Sequence, residues 1–186
     1  MKFRFSLLIM LMVTTTFFAQ EEQESTKTDP LDKRHELRID ALEGLLVPAI
    51  DISYEYIISQ RSGFGASAFV ALQDLGGDYQ QWAFSPYYRQ YFFTKEEYGG
   101  KGFYAEGLLQ VGGGSYDESF YNYEIDELFY DNGDWTKFGI GVSFGQKWIN
   151  KNGFVVELSL GGGRYFGNDT GPEAFFRGGA SVGYRF

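Results

Sequence analysis

The sequence predicts an all-β fold, an eight-stranded antiparallel up-and-down transmembrane β-barrel with a polar, plugged interior. Three observations predict it. Eight segments alternate apolar with small or polar residues at period two, as strands with two unlike faces do. Glycine (25), tyrosine (14) and phenylalanine (19) are abundant, yet past the first residues no stretch is long and apolar enough for a transmembrane helix. Finally, the charges that alternation sends to the small-or-polar faces nearly cancel, although the whole chain carries a formal net charge of −9.

The chain opens on the short basic segment Met1–Lys2–Phe3–Arg4, followed by an apolar or hydroxylic run from Phe5 to Phe18 and then Ala19. This is the layout of a secretory signal peptide over residues 1–19, cleaved after Ala19. The run is too short to span a bilayer as a helix. Residues 20–35 hold Glu21, Glu22, Glu24, Lys27, Asp29, Pro30, Asp32 and Lys33, with Leu31 the one apolar side chain of any size. Such a composition reads as a flexible tail. The barrel is expected over residues 36–186, and the ending at a strand leaves no expectation of a peptidoglycan-binding domain after it.

The chain has no cysteine, which excludes a lipidated N-terminus, a disulfide scaffold and histidine–cysteine metal chemistry. Loss of Lys2 and Arg4 with the leader takes the net charge from −9 to −11. That surplus argues against nucleic acid as a partner. It is compatible with an outer membrane, where divalent cations can bridge acidic loops to anionic lipid.

Strands are expected at Glu36–Gly44, Ala49–Ile58, Gly63–Leu72, Gln80–Phe93, Gly102–Gly112, Thr136–Trp148, Gly153–Tyr165 and Glu173–Phe186. The sixth shows the pattern best: Phe138, Ile140, Val142 and Phe144 share one face, and Lys137, Gly139, Gly141, Ser143, Gly145 and Lys147 the other. In the seventh, Phe154, Val156, Leu158 and Leu160 alternate with Val155, Glu157, Ser159, Gly161 and Gly163. The last sets Ala180, Val182, Tyr184 and Phe186 against Arg177, Gly179, Ser181, Gly183 and Arg185.

A soluble barrel would turn the greasy faces inward, whereas a transmembrane barrel turns them to lipid. The second arrangement is expected. The other faces carry glycine and serine where a wetted surface would carry long charged chains, and small residues suit a tightly curved wall. Tyr54, Tyr56, Tyr88, Phe92, Phe103, Trp148, Tyr184 and Phe186 lie toward strand ends, where interfacial belts form. The inward faces receive Arg38, Arg89, Lys137, Lys147, Arg177 and Arg185 against Asp40, Asp51, Glu55, Glu106 and Glu157. A narrow interior requires such near-neutrality, because unpaired buried charge is costly. Tyr87, Tyr91, Tyr104, Ser53, Ser67, Ser85 and Gln110 add hydrogen-bonding groups there.

An even strand count puts both termini on the periplasmic side. Internal turns are then expected at Ser59–Ser62, Thr94–Lys101 and Ile149–Asn152, and external loops at Leu45–Pro48, Gln73–Tyr79, Gly113–Trp135 and Phe166–Pro172. Pro86 has no N–H for the ladder, so a bulge is expected in the fourth strand. The chain closes on Ser181–Val182–Gly183–Tyr184–Arg185–Phe186, similar to the C-terminal signal that hands bacterial outer-membrane barrels to their assembly machinery.

His35–Asp40 followed by Asp51–Glu55, together with Ser85–Phe92 and Gly102–Gly107, resembles the small outer-membrane β-barrel families of Bacteroidota, and more loosely the barrel domain of OmpA-like proteins. The resemblance spans about residues 36–186. It implies outer-membrane lipid and the barrel-assembly machinery as partners and names no activity, because one barrel scaffold carries many functions.

Candidate chemistry is sparse. His35 is the one histidine, so any histidine-dependent triad would have to use it; an exposed or interfacial side chain is the plainer reading. Glu106, Glu157, Glu55 and Asp51 are better read as ion-pair partners of the interior arginines than as paired catalytic carboxylates. Gly112–Gly114 and Gly161–Gly163 lack the lysine and hydroxyl residue of a nucleotide loop. The third external loop, Ser115–Trp135, is acidic without one base. It carries Asp117, Glu118, Glu124, Asp126, Glu127, Asp131 and Asp134, with aromatics that include Tyr121 and Tyr123. It is a candidate site for a cation or a carbohydrate, although an extension of the sheet above the membrane explains the same aromatics. No catalytic residue, cofactor or metal is expected. The function expected is a structural or surface-interaction role without catalysis. The alternatives are a lipid-modifying outer-membrane enzyme and a secreted soluble barrel binding an apolar ligand.

Overall fold

The computed structural model describes residues 33–41, 48–73, 79–92, 99–122, 127–167 and 170–186. Eight strands follow one another: β1 (His35–Asp40), β2 (Ala49–Ser59), β3 (Ser62–Ala71), β4 (Trp82–Phe92), β5 (Gly102–Asn122), β6 (Glu127–Ile149), β7 (Phe154–Phe166) and β8 (Ala174–Arg185). Each pairs antiparallel with its chain neighbour, and β1 pairs with β8 to close the barrel. Closure removes the two edges that an open sheet would leave unpaired. The expected leader and the first thirteen residues of the expected tail lie outside the described residues, as do most of the expected first and second external connections, most of the expected Thr94–Lys101 turn and residues 168–169 of the fourth connection.

Alternation holds around the barrel with the greasy side outward. Phe138, Ile140, Val142 and Phe144 on β6, Phe154, Leu158 and Leu160 on β7, and Val182 and Tyr184 on β8 are all exposed, Leu160 by 65% and Val142 by 58%. Their neighbours in sequence, Lys137, Ser143, Lys147, Val155, Glu157 and Arg185, are buried. A water-soluble barrel orders these faces the opposite way.

Small residues let the wall curve and leave room for rings inside. A Cβ at Gly145 would lie 2.4 Å from the Tyr104 hydroxyl and 2.6 Å from the Leu158 carbonyl oxygen. One at Gly65 would lie 2.5 Å from the Tyr87 hydroxyl. Each glycine is the cross-strand partner of its tyrosine and is the seat over which that ring lies along the inner wall. The tight β6–β7 turn uses Gly153 at φ 93°, with the Asn150 side chain accepting from the amides of Asn152 (3.0 Å) and Phe154 (2.9 Å).

Two expectations fail. Gly113–Trp135 is not a loop: β5 and β6 run on as a two-stranded ribbon, paired without a register break from Gly102↔Lys147 to Asn122↔Glu127. Only residues 123–126 separate them. Nor does Pro86 cause a bulge. The β3–β4 ladder runs straight through the Ala66↔Pro86 pair. On the other side the β4–β5 pairing lapses between Phe84↔Val111 and Tyr87↔Leu108 and resumes in the same register. The missing N–H therefore costs a local lapse in one ladder and shifts no side chain to the wrong face.

Candidate functional site

The chemically distinctive region is the lumen, and its lower half, toward the chain termini, holds a continuous charge network. On neighbouring strands, Glu36 and Glu55 are direct cross-strand partners, and both point inward. Two like charges so placed require cations between them. Arg38 supplies one, donating through Nη1 to Glu36 and, at 2.7 Å, to Glu55, while its Nη2 reaches the Tyr87 hydroxyl at 2.8 Å. Lys147 supplies another from the far wall: its Nζ lies 2.7 Å from Glu36, 2.7 Å from Glu55 and 2.7 Å from the Tyr91 hydroxyl.

Arg89 is the hub one level up. Its Nε donates to Glu106 at 2.6 Å, its Nη1 to Glu55 at 2.9 Å, and its two terminal nitrogens grip Glu157 at 2.7 and 3.0 Å. The planar fork of arginine suits this two-pronged grip, which lysine could not make. Its guanidinium also lies over the rings of Tyr104 (4.2 Å) and Tyr87 (4.7 Å). Arg177 bonds Glu106 at 2.9 Å and Ser67 at 2.8 Å. At the terminus-bearing mouth, Arg185 holds Glu36 at 2.8 Å and donates to the Gly99 and Gly100 carbonyls of the β4–β5 turn, pinning that turn across the opening.

The upper lumen is closed differently. Ser85 donates to Gln110 at 2.9 Å, Gln110 donates to Gln80 at 2.8 Å, and Tyr165 donates to Gln80. Tyr87, Leu108, Trp135, Tyr165 and Phe175 pack together around them. Beside the charge network the lumen keeps a cavity of about 30 Å³ walled by Asp40, Asp51, Arg89, Glu106, Glu157 and Arg177. That is room for about one water, beside a buried Asp51 oxygen that bonds nothing.

Glu55, Glu106, Glu157, Arg38, Arg89, Lys147, Arg177 and Arg185 thus come together. Asp40 and Asp51 border the cavity above them. Lys137 is a correction: it is buried but stands apart, its ammonium donating to the carbonyls of Gly171 (3.1 Å) and Pro172 (3.2 Å) at the end away from the termini. Glu36 was missed by the sequence reading, although it shares the parity of Arg38 and could have been found by extending that face two residues.

Glu36, Glu55 and Glu157 bring oxygens within 4.8 Å of one another, the spacing of a metal site. Arg38 and Lys147 already lie among those oxygens, so the arrangement neutralises the carboxylates with fixed side chains. Every carboxylate of this cluster is engaged at close range, and the hydroxyls nearby are donors to it.

Of the residues singled out in the acidic segment, Asp117, Glu118 and Tyr121 belong to β5, and Glu127, Asp131 and Asp134 to β6. Glu118 stands opposite Asp131 in the ladder, Asn122 opposite Glu127, and exposed Asp134 opposite Ser115. Tyr123, Glu124 and Asp126 lie outside the described residues. His35 heads β1 on the outer wall, exposed, its Nδ1 2.6 Å from the Tyr54 hydroxyl and its ring stacked 6.0 Å from that of Phe186.

No family model matches the chain, and no curated protein matches it. Among solved structures it is similar to the N-terminal β-barrel domain of Pseudomonas aeruginosa OprF, at 17% identity over 83% of this chain and 98% of that one, with a TM-score of 0.49.

Proposed function

We propose that this chain is an exported outer-membrane β-barrel with a structural or surface-interaction role and no catalytic activity, of the kind that the small barrels of Bacteroidota represent. The observation that carries the reading is the inverted wall: exposed apolar side chains all round, with arginine, lysine and glutamate salt-linked inside. Lipid is the solvent that makes this order favourable.

Dimensions support it. The 11 residues of β4, at about 3.3 Å each and tilted by roughly 40°, rise about 28 Å, against an apolar band of about 25 Å. So does the aromatic girdle at the terminus-bearing end. Outward Phe92 and Phe103 lie 6.3 Å apart, Phe103 and Phe144 6.4 Å, Phe154 and Tyr184 5.6 Å. Rings of this kind settle at the headgroup level.

In this reading residues 1–19 are the signal peptide, the residues from 20 to the start of β1 a periplasmic tail, and both termini are periplasmic. The C-terminal strand is the segment the assembly machinery recognises. The interior charge network is structural: it fills the lumen and fixes the barrel's shape. The acidic ribbon of β5 and β6 stands outside the cell as the segment that would meet a cationic or carbohydrate partner.

Fractionation of the native host, followed by electrophoresis with and without boiling, tests the proposal. Recovery in the outer membrane with a heat-dependent mobility shift is expected. A protein that stays soluble without detergent would overturn it.

A further inference from the structure

The two ends of the barrel differ in charge. At the terminus-bearing rim, exposed Arg61 sits in the β2–β3 turn, exposed Lys151 in the β6–β7 turn, and half-buried Lys33 just ahead of β1. Arg34 and Lys101 belong to the same rim. Among the described residues no exposed acidic side chain accompanies them; Glu36, the acidic side chain nearest the mouth, is turned inward and is 0% exposed. Among the described residues the opposite rim carries exposed Asp134 and Glu173 and the acidic ribbon against one exposed base, Arg164, and its Lys137 is turned inward onto loop carbonyls.

The bases are also continuous with the greasy wall. The Lys33 ammonium lies 5.8 Å from the centre of the Tyr184 ring, on the outer face and within the aromatic girdle. Lys151 follows exposed Trp148 by three residues, and Arg61 precedes exposed Phe64 by three. A cation just beyond an aromatic belt stands at the depth of lipid phosphates, and each such residue favours an anionic surface by about fivefold.

From this placement we infer that the terminus-bearing rim is a binding surface for anionic phospholipid, with Lys33, Arg61 and Lys151 holding headgroup phosphates of the adjoining leaflet. The inference rests on the outer-membrane reading above. The charge sorting would favour one insertion direction over the other, because the acidic ribbon is repelled by the same lipid.

Brominated lipids test it, because bromine on the acyl chain quenches a tryptophan only when that lipid lies against it. Trp148 faces outward near the basic rim, Trp82 faces outward at the opposite end, and Trp135 is buried inside. The full mature barrel with Trp82→Phe therefore reports on the basic rim, and with Trp148→Phe on the acidic one. In vesicles of phosphatidylcholine and phosphatidylglycerol, Trp148 is expected to favour brominated phosphatidylglycerol by about fivefold, and Trp82 to show no preference or the reverse.

Lys33→Gln/Arg61→Gln/Lys151→Gln should bring the Trp148 preference to near one, with the heat-dependent mobility shift confirming that the variant has folded. High salt should do the same to the unaltered rim, which covers a variant that fails to fold. Equal quenching of Trp148 by the two lipids, or a preference that survives both the triple substitution and salt, would overturn the inference alone. Absence of quenching by either lipid at either tryptophan would overturn the membrane reading along with it.

Discussion

Glu36 and Glu55 face each other across the β1–β2 ladder, both 0% exposed, and the Lys147 ammonium from the opposite wall lies 2.7 Å from each. A buried like-charge pair is tolerable only while its cations stay. Replacing Lys147 with methionine keeps the volume and removes the charge, leaving Arg38 as the one cation that bridges both carboxylates, with Arg185 on Glu36 and Arg89 on Glu55. A loss of about 3–5 kcal/mol is expected, read as a lower urea midpoint for the folded barrel in lipid. Adding Glu55→Gln should return part of that loss, and a double-mutant cycle measures how much.

Arginines in the network should not be equal. Arg89 contacts Glu55, Glu106 and Glu157 and is 3% exposed, whereas Arg177 bonds Glu106 and Ser67 with its side chain 15% exposed. Arg89→Ala should therefore lower the temperature at which the compact electrophoretic form disappears by more than Arg177→Ala does. Equal effects would mean that the lumen is wetter than these burial values imply, since water would then replace either guanidinium.

The inward glycines provide a test of packing without charge. Gly145→Val pushes into the Tyr104 ring, whose hydroxyl donates to Glu157 at 2.8 Å, and it also meets the rigid Leu158 carbonyl. An overpacking cost of about 1–3 kcal/mol is expected. Gly107 has nothing within 4 Å of a Cβ and faces outward, so Gly107→Ala should be neutral or slightly stabilising. Equilibrium unfolding of both variants checks the contrast.

What the sequence made legible was the face of each residue, because period two is a local property of a strand. Phe138 to Lys147 and Phe154 to Gly163 could be sorted into wall and lumen from their order alone. Height along the barrel axis was not legible, because it depends on register between strands. Lys137 and Lys147 share one face of β6, and only the register shows which of them stands level with the carboxylates: the second bonds Glu36 and Glu55, whereas the first bonds loop carbonyls at the end away from the termini. The β5–β6 ribbon was hidden for a related reason. Beyond Gly114 the residues no longer separate apolar from polar faces, so no alternation marks the strands even though the backbone ladder continues to Asn122.

That ribbon should be separable from the barrel. Its ladder from Asp117↔Asn132 outward pairs only β5 with β6, while the aromatic plug is built below it from Trp135 and its neighbours. Replacing residues 119–130 by Asn-Gly joins Glu118 to Asp131 through a two-residue turn that suits paired strands. The shortened protein is expected to fold with an unfolding free energy in urea within about 0.5 kcal/mol of the intact one. Failure to fold would show that the ribbon helps the barrel to form.

The direction of the wall has its own test. Val142 is 58% exposed midway between outward Phe138 and Trp148, and Ile58 is exposed at the end of β2 beside its turn. An arginine is costly at the hydrocarbon midplane and nearly free at the interface. Val142→Arg should therefore destabilise the barrel in lipid by about 2–4 kcal/mol and Ile58→Arg by no more than about 1. In water the same exposed valine would accept arginine with little change, since no hydrocarbon surrounds it. A depth-dependent penalty in vesicle unfolding therefore distinguishes lipid from water as the solvent of this surface. Equal, small costs at both positions would mean that the apolar wall is covered by something other than a bilayer.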